Sequence, residues 1–458
     1  MTLLHPEIAA ARSLQPLRIT GSVAALRGLT LLADDLPLPV GSLVHVKASA
    51  GGNRPAEVVG FEGRRAIVMT LGQTGGIRAG DAIVGDTAGA NAMIRVGPRM
   101  LGRVVNGLGE PIDDRGPIPE RSPAPLNPDP VSPLRRRRIN ERLDTGVRAV
   151  DLMTPVGRGQ RLGIFAGPGV GKSTLLGSIA KHTSADINVI SLVGERGREV
   201  KDFIERSLGD EGLARSVVVV ATSDESPLMR IRSVFVACAI AEFFRDRGAD
   251  VMLLMDSVTR LAQAQRQVGL AVGEPPATRG YTPSVFAMLP ALLERAGAVE
   301  NAGSITGFYT ILVEGDDMTE PIADAARGIL DGHLILSRSL AQRGHYPAID
   351  VLDSISRVTS DVCDREHLSG RSTVQRLLAA HRDVEDLLQI GAYARGSNPT
   401  ADVAVSLKPQ LDALLQQSSD DHEPFESARG RLISLAKQAG DLLQQNASHP
   451  RGSSGRAA

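Results

Sequence analysis

The sequence predicts an α/β core flanked by a small N-terminal β-barrel and a C-terminal helical domain. Three observations carry that prediction. Residues 17–95 hold short β-branched segments punctuated by turns, the middle of the chain alternates apolar strand candidates with helical patterns, and after about residue 370 the strand candidates stop.

In the first region, Leu43–Lys47, Glu57–Gly60 and Ala66–Met69 are short and contain β-branched residues. Between them lie Ala50-Gly51-Gly52-Asn53 and Thr74-Gly75-Gly76, residue types that favour tight turns. Several short strands punctuated this way suggest a small barrel or sandwich. Residues 107–134 are dense in Pro, Gly and Asp. Pro123, Pro125, Pro128, Pro130 and Pro133 exclude a helix and imply an extended connector. It ends in the basic run Arg135–Arg138, read as a solvated linker.

In the middle region the strand candidates are Leu162–Ala166, Ile187–Val193, Val217–Ala221, Val251–Met255 and Ile305–Val313, with helical patterns such as Pro227–Arg245 between them. That alternation implies a mostly parallel sheet covered on both faces. In the last region, Ser372–Leu388, Ala401–Leu415 and Phe425–Gln445 repeat apolar residues at helical spacing. Pro409 is expected to break or restart the second of these helices. The expected division is an N-terminal segment (1–16), a barrel (17–95), the α/β domain (96–368), a helical domain (369–446) and a flexible Gly/Ser/Arg-rich tail (447–458).

Composition narrows the function class. A chain of 458 residues has room for two or three domains and a sizeable core. Charged residues at 22% and hydrophobic residues at 42% are values of an ordinary globular protein. The net charge of −1 provides no global field for nucleic acid or anionic lipid. Cys238 and Cys363 have no second cysteine or histidine at metal-ligand spacing and read as reduced thiols. Met1–Leu14 carries Glu7 and no long apolar run, unlike a secretory signal. No stretch approaches the ~20 apolar residues that span a bilayer. The expected location is cytoplasmic, with docking on a membrane complex left open.

The strongest chemical signal follows Leu162–Ala166. The strand runs into Gly167-Pro168-Gly169-Val170-Gly171-Lys172-Ser173-Thr174, after which a helix begins. This is a phosphate-binding loop in its strand–loop–helix setting. Glycines let the backbone curl so that successive N–H groups face phosphate oxygens, and the helix N-terminus adds its positive dipole. Lys172 reaches toward the β and γ phosphates, and the Ser173 hydroxyl is a Mg²⁺ ligand. Ala166 stands where the usual pattern has its first glycine, at a strand end where a methyl group fits.

Two carboxylates belong with this loop. Val251–Met255 ends in Asp256, placed at the carboxyl edge of the sheet, where such folds keep the phosphate loop. Asp256 therefore reads as the Mg²⁺-side acid, although alone it would equally read as a helix N-cap. Ile187–Val193 ends in Gly194-Glu195-Arg196-Gly197-Arg198-Glu199. Glu195 is the candidate that orients and polarises the attacking water, and Arg196 a candidate γ-phosphate contact. Without the upstream loop, the same run would read as solvated charges. Far downstream, Ser354-Ile355-Ser356-Arg357 supplies Arg357 as a candidate arginine finger, one of many arginines that spacing alone would allow.

These residues resemble, in order, those of the catalytic domain shared by rotary ATP synthase subunits and type III export ATPases. The resemblance rests on Ile164–Ala166 into the loop, Gly194-Glu195-Arg196, the strand ending at Asp256, Gly273–Tyr281, Glu314–Pro321, Tyr346–Asp350 and Ser354–Arg357. The wording of Gly102–Gly109, Thr145–Asp151, Gly273–Tyr281 and Glu314–Pro321 is closer to the export branch. The similarity runs from about residue 20 to about 440. It implies a β-barrel, a RecA-like P-loop core and a helical C-terminal domain, assembled as a hexameric ring with ATP at subunit interfaces. It makes Lys172 and Ser173 phosphate and Mg²⁺ ligands, Glu195 the catalytic carboxylate and Arg357 a finger for the adjacent subunit, and it sets Tyr346 beside the adenine. Because one chain carries both Glu195 and Arg357, a ring of identical copies would complete every site, and a homohexamer is expected.

The resulting expectation is an ATP hydrolase that energises type III protein export, with flagellar assembly favoured over an injectisome. It would release cargo from chaperones and promote passage into an export gate, bound peripherally to the cytoplasmic face of the apparatus. Expected partners are a stator-like regulator at the N-terminal segment, where Leu3, Leu4, Ile8 and Leu14 could line one side of a helix or pack on the barrel, a coiled-coil stalk in the ring, and cargo–chaperone complexes. A synthase or ion-pump subunit is disfavoured by the export-like wording, and a non-enzymatic scaffold by the joint presence of Lys172, Glu195, Asp256 and Arg357. A nucleic-acid translocase is disfavoured because the first 150 residues hold a single aromatic, Phe61, and so cannot stack bases.

Overall fold

A computed structural model describes residues 18–86, 93–313, 315 and 317–448. The apolar stripe read at Leu3–Leu14 and the end of the tail lie outside the described residues. Six strands close a barrel: β1 (Arg18–Arg27), β2 (Thr30–Asp34), β3 (Leu43–Lys47), β4 (Asn53–Glu62), β5 (Arg65–Thr70) and β6 (Ala82–Asp86), in the order β1-β2-β5-β4-β3-β6. Alternation decides which face is inside: Val44, Val46, Val58, Val68 and Ile83 are fully buried in its interior. β4 starts earlier than expected, at Asn53, and runs through Pro55, which stands opposite His45. A register shift between Val58 and Gly60 bends it around the barrel.

The central sheet has the order Ile355–Ser356, Gly332–Leu336, Arg161–Ala166, Ser304–Leu312, Asp250–Asp256, Ile187–Val193, Ser216–Ala221 and Arg103–Asn106. The six strands from Gly332–Leu336 to Ser216–Ala221 run parallel, as does Arg103–Asn106 at one edge, and Ile355–Ser356 is antiparallel at the other. The five strands read from apolar runs are all present, because a parallel strand covered on both faces is apolar over most of its length. Arg103–Asn106, Gly332–Leu336 and Ile355–Ser356 are additions: too short, or too mixed with Gly, His and Arg, to stand out in sequence.

The Pro227–Arg245 helix packs on this sheet, capped by the Ser226 hydroxyl, which accepts the Met229 N–H. Free Cys238 is buried within it. Three C-terminal helices, Arg365–Gln389, Pro399–Leu415 and Phe425–Ser448, pack on one another.

Two expectations are corrected. The second C-terminal helix runs unbroken through Pro409. Pro removes one backbone donor, but Ala404, Leu407, Leu411 and Leu414 bury a continuous stripe around it that outweighs the lost bond. The basic run Arg135–Arg138 exposes the side chains of Arg135, Arg137 and Arg138 to solvent as expected, but it is not a free linker. Its backbone pairs with residues 298–300, through Arg137 N–H to Ala298 C=O and Glu300 N–H to Arg135 C=O, both at 2.9 Å. The Arg136 guanidinium donates to the carbonyls of Glu294 and Ala296. The run is a strap tied to the core.

Candidate functional site

Parallel strands bring their carboxyl ends to one edge, and the phosphate loop, Glu195 and Asp256 all sit there. Ala166 is fully buried at the end of its strand, Gly167 and Val170 are buried, and Pro168, Gly169, Ser173 and Thr174 are exposed. Gly169 and Gly171 have φ of 78° and 91°, the left-handed conformation that curls the loop and that a side chain would strain. The Lys172–His182 helix begins directly after Gly171, so its first N–H groups open onto the loop.

The Lys172 ammonium lies between the two acids. It pairs with Asp256 and stands 3.7 Å from Glu195. Asp256 is 3% exposed and also accepts a 2.8 Å hydrogen bond from the Thr310 hydroxyl. The Glu195 backbone is fixed by Gly194 N–H to Ala221 C=O at 2.7 Å and by Ser223 N–H to its own carbonyl at 3.0 Å. Burial pushes the Glu195 carboxyl up to about 7, the Asp256 charge adds to the rise, and Lys172 opposes it. A carboxyl that titrates near neutrality can act as a general acid or base at pH 7. If Glu195 acts as its ionised form, kcat/KM should fall as pH drops through about 7, and a pH–rate profile checks this. An acid limb confined to pH 4–5 would contradict it.

Not every expected residue joins this cluster. Arg196 is exposed and pairs with Glu199 at 3.2 Å, away from Lys172 and Asp256. Tyr346 stands beside the loop: a Cβ on Gly171 would lie 3.6 Å from its ring. With Val170, Leu336 and Pro347 it walls an apolar hollow, closed from the C-terminal helical region by Gln417 and Ser418. The Gln417 N–H donates to the Tyr346 carbonyl at 2.9 Å.

Arg357 lies at the opposite edge of the sheet. Ile355 pairs with His333, and His333 with Gly163, so Arg357 falls level with Arg161. Five residues of strand, roughly 16 Å, separate that level from Ala166. Its side chain is exposed and cannot reach the loop of its own chain.

Ser173 and Asp256 offer oxygen donors of the kind Mg²⁺ takes. Among the described residues, no cluster of three or more His, Cys, Asp or Glu could hold a metal unaided. Mg²⁺ needs no such cage where phosphates supply most of its non-water ligands, so these residues fit it.

Three residues at the site were not read from sequence. Thr310, a hydroxyl inside an apolar strand, was a legible signal. Arg260 packs along Gly194, with its Nε buried and without a hydrogen-bond partner among the described residues. An arginine in the first turn after Asp256 could have suggested it. Gln417 carried no signal, because only folding brings it to Tyr346.

Residues 146–356 match the family model of the ATP synthase alpha/beta family, nucleotide-binding domain, and residues 363–434 match that of the T3SS EscN ATPase C-terminal domain. The flagellum-specific ATP synthase of Bacillus subtilis is 49% identical over 417 residues, covering 91% of this chain and 94% of the relative. The type 3 secretion system ATPase of Xanthomonas euvesicatoria is 47% identical over 420 residues, covering 92% and 94%. The assembled ATPase EscN of enteropathogenic E. coli superposes with a TM-score of 0.84 at 41% identity, covering 91% of this chain and all of that one. EscN in complex with its central stalk EscO superposes with a TM-score of 0.83 at 40% identity, with the same coverage. Among the described residues, no helix is long and apolar enough to cross a membrane.

Proposed function

We infer the function from a premise the comparisons supply: this chain belongs to the ATP synthase alpha/beta family, in the branch of the flagellum-specific ATP synthases and type 3 secretion system ATPases. It is a type III export ATPase that hydrolyses ATP to ADP and phosphate. The system we assign is flagellar, supported by relatives of that name at 49% identity. Replacing the chromosomal gene with a Lys172→Ala copy should abolish motility and leave filament subunits inside the cell. Normal filaments, with loss of effector secretion instead, would move the assignment to an injectisome.

The catalytic reading rests on one observation: a phosphate loop and two carboxylates at one sheet edge, with Arg357 at the other. ATP would occupy the loop with its base in the Tyr346 hollow, and the N–H groups of residues 167–174 would face its phosphates. Lys172 would then leave the carboxylates for the phosphate oxygens. Ser173 directly, and Asp256 through water, would hold Mg²⁺, which when bound neutralises charge on the phosphates. Glu195 would accept a hydrogen bond from the attacking water and align it. Arg196 would need to swing from Glu199 to reach the γ-phosphate.

Arg357 is remote from the loop of its own copy, so as a finger it would serve a neighbour's site. Identical copies satisfy this only in a closed ring, and we assign a homohexamer with up to six competent sites. The domain division is residues 17–95, 96–368 and 369–446, with residues 1–16 left for a stator-like regulator and 447–458 as a tail. A central stalk, cargo–chaperone complexes and an export gate are the further partners, at the cytoplasmic face of the apparatus. The stalk is supported by the complex of EscN with EscO. Light scattering with a bound-nucleotide count on the assembled protein should give six copies and more than three nucleotides. An obligate second ATPase-like subunit would defeat the assignment.

A further inference from the structure

Arg357 has to be presented rigidly if it is to act in a neighbour's site, and the structure shows what holds it. Gln160 is fully buried just before the strand that feeds the phosphate loop. Its side-chain amide donates to the Ser356 hydroxyl at 3.0 Å and to the Asp331 carbonyl at 3.2 Å. Its oxygen accepts the Gly157 N–H at 2.9 Å. The same Asp331 carbonyl accepts the Arg357 N–H at 2.9 Å. The Asp331 carboxylate is gripped in turn by Arg161, with Nε at 2.9 Å and Nη2 at 3.0 Å. Thr359 closes the other side, its hydroxyl donating to the Ser356 carbonyl at 2.8 Å. Both Gln160 amide hydrogens are used, each on a segment that flanks Arg357 in space.

We infer that Gln160 is a positioning residue for hydrolysis in the neighbouring subunit: its amide, with Asp331, is the mount that fixes the Arg357 backbone. This rests on the reading of Arg357 as a finger supplied in trans. Gln160 touches no nucleotide of its own site, which opens at the far end of the strand. Releasing the mount lets the guanidinium drift, and a displacement of about 1 Å at a reacting centre costs about a hundredfold.

The test uses assembled full-length protein. Gln160→Leu removes both donors at similar size, and Gln160→Glu keeps an acceptor for Gly157 but opposes the Asp331 carbonyl. Each should lower kcat about 10- to 100-fold, with KM and the nucleotide affinity of the unassembled chain within twofold. Gln160→Leu mixed 1:1 with Lys172→Ala before assembly should then regain activity. About one junction in four joins an intact loop to an intact mount, so the mixture should approach a quarter of wild-type turnover. Arg357→Ala mixed with Lys172→Ala is the control. Unchanged kcat in both Gln160 variants overturns the inference. So does a mixture that stays inactive while the control regains activity, and in both cases the finger stands. An inactive control overturns the finger and the mount with it.

Discussion

Arg357→Ala is expected to lower kcat by about 10³–10⁵-fold, the range an arginine finger supplies to phosphoryl transfer. The size of the effect follows from where charge develops. The transferring phosphoryl would carry its charge on oxygens that face outward from the loop, where a neighbour's cation would stabilise it and shield it from bulk solvent. The register places Arg357 level with Arg161, about five residues from Ala166, so no rotamer brings it to its own loop. The loss should therefore appear only in the assembled protein. Nucleotide affinity of the unassembled Arg357→Ala chain, read by equilibrium binding, should match that of the wild type. The slow basal turnover of unassembled chains should also be unchanged. A fall in binding by the isolated variant would mean that Arg357 serves its own protomer.

Glu195→Gln is expected to lower kcat by roughly 10²–10⁴-fold, the usual contribution of a positioned acid or base. Binding should be preserved or tightened, because the substitution removes a negative charge 3.7 Å from the Lys172 ammonium. The amide keeps the shape of the side chain but cannot accept a proton. The acid limb near pH 7 in the kcat/KM profile should vanish in this variant, since burial raises the titration of this carboxyl. Single-turnover hydrolysis separates the effect from product release. Turnover within tenfold of wild type would remove Glu195 from its role.

The parts of this fold that were legible in the sequence are those dictated by local chemistry. Leu162–Ala166 and Ile187–Val193 had to be apolar because a parallel sheet buries both faces, and the glycines at 169 and 171 had to be there because the loop needs positive φ. Pro227–Arg245 carries local end signals, a proline in its first turn and an arginine in its last. What stayed hidden depends on distant partners. Pro409 misled because the stripe around it, not backbone bonding, holds that helix. The solvated arginines of Arg135–Arg138 were legible, but their backbone ties were not, because the partners are residues 294–300. Gln160 looked like any polar residue, since Ser356 is 196 positions away. The opposition of Arg357 to the loop follows from strand order, which no local pattern encodes.

The most direct test is the structure of the assembled protein with a non-hydrolysable ATP analogue and Mg²⁺. The Arg357 guanidinium should lie within hydrogen-bonding distance of the γ-phosphate held by the Lys172 of the adjacent copy, with Glu195 of that copy facing the same phosphate. An Arg357 that faces solvent, or folds back on its own chain at every occupied interface, would contradict it.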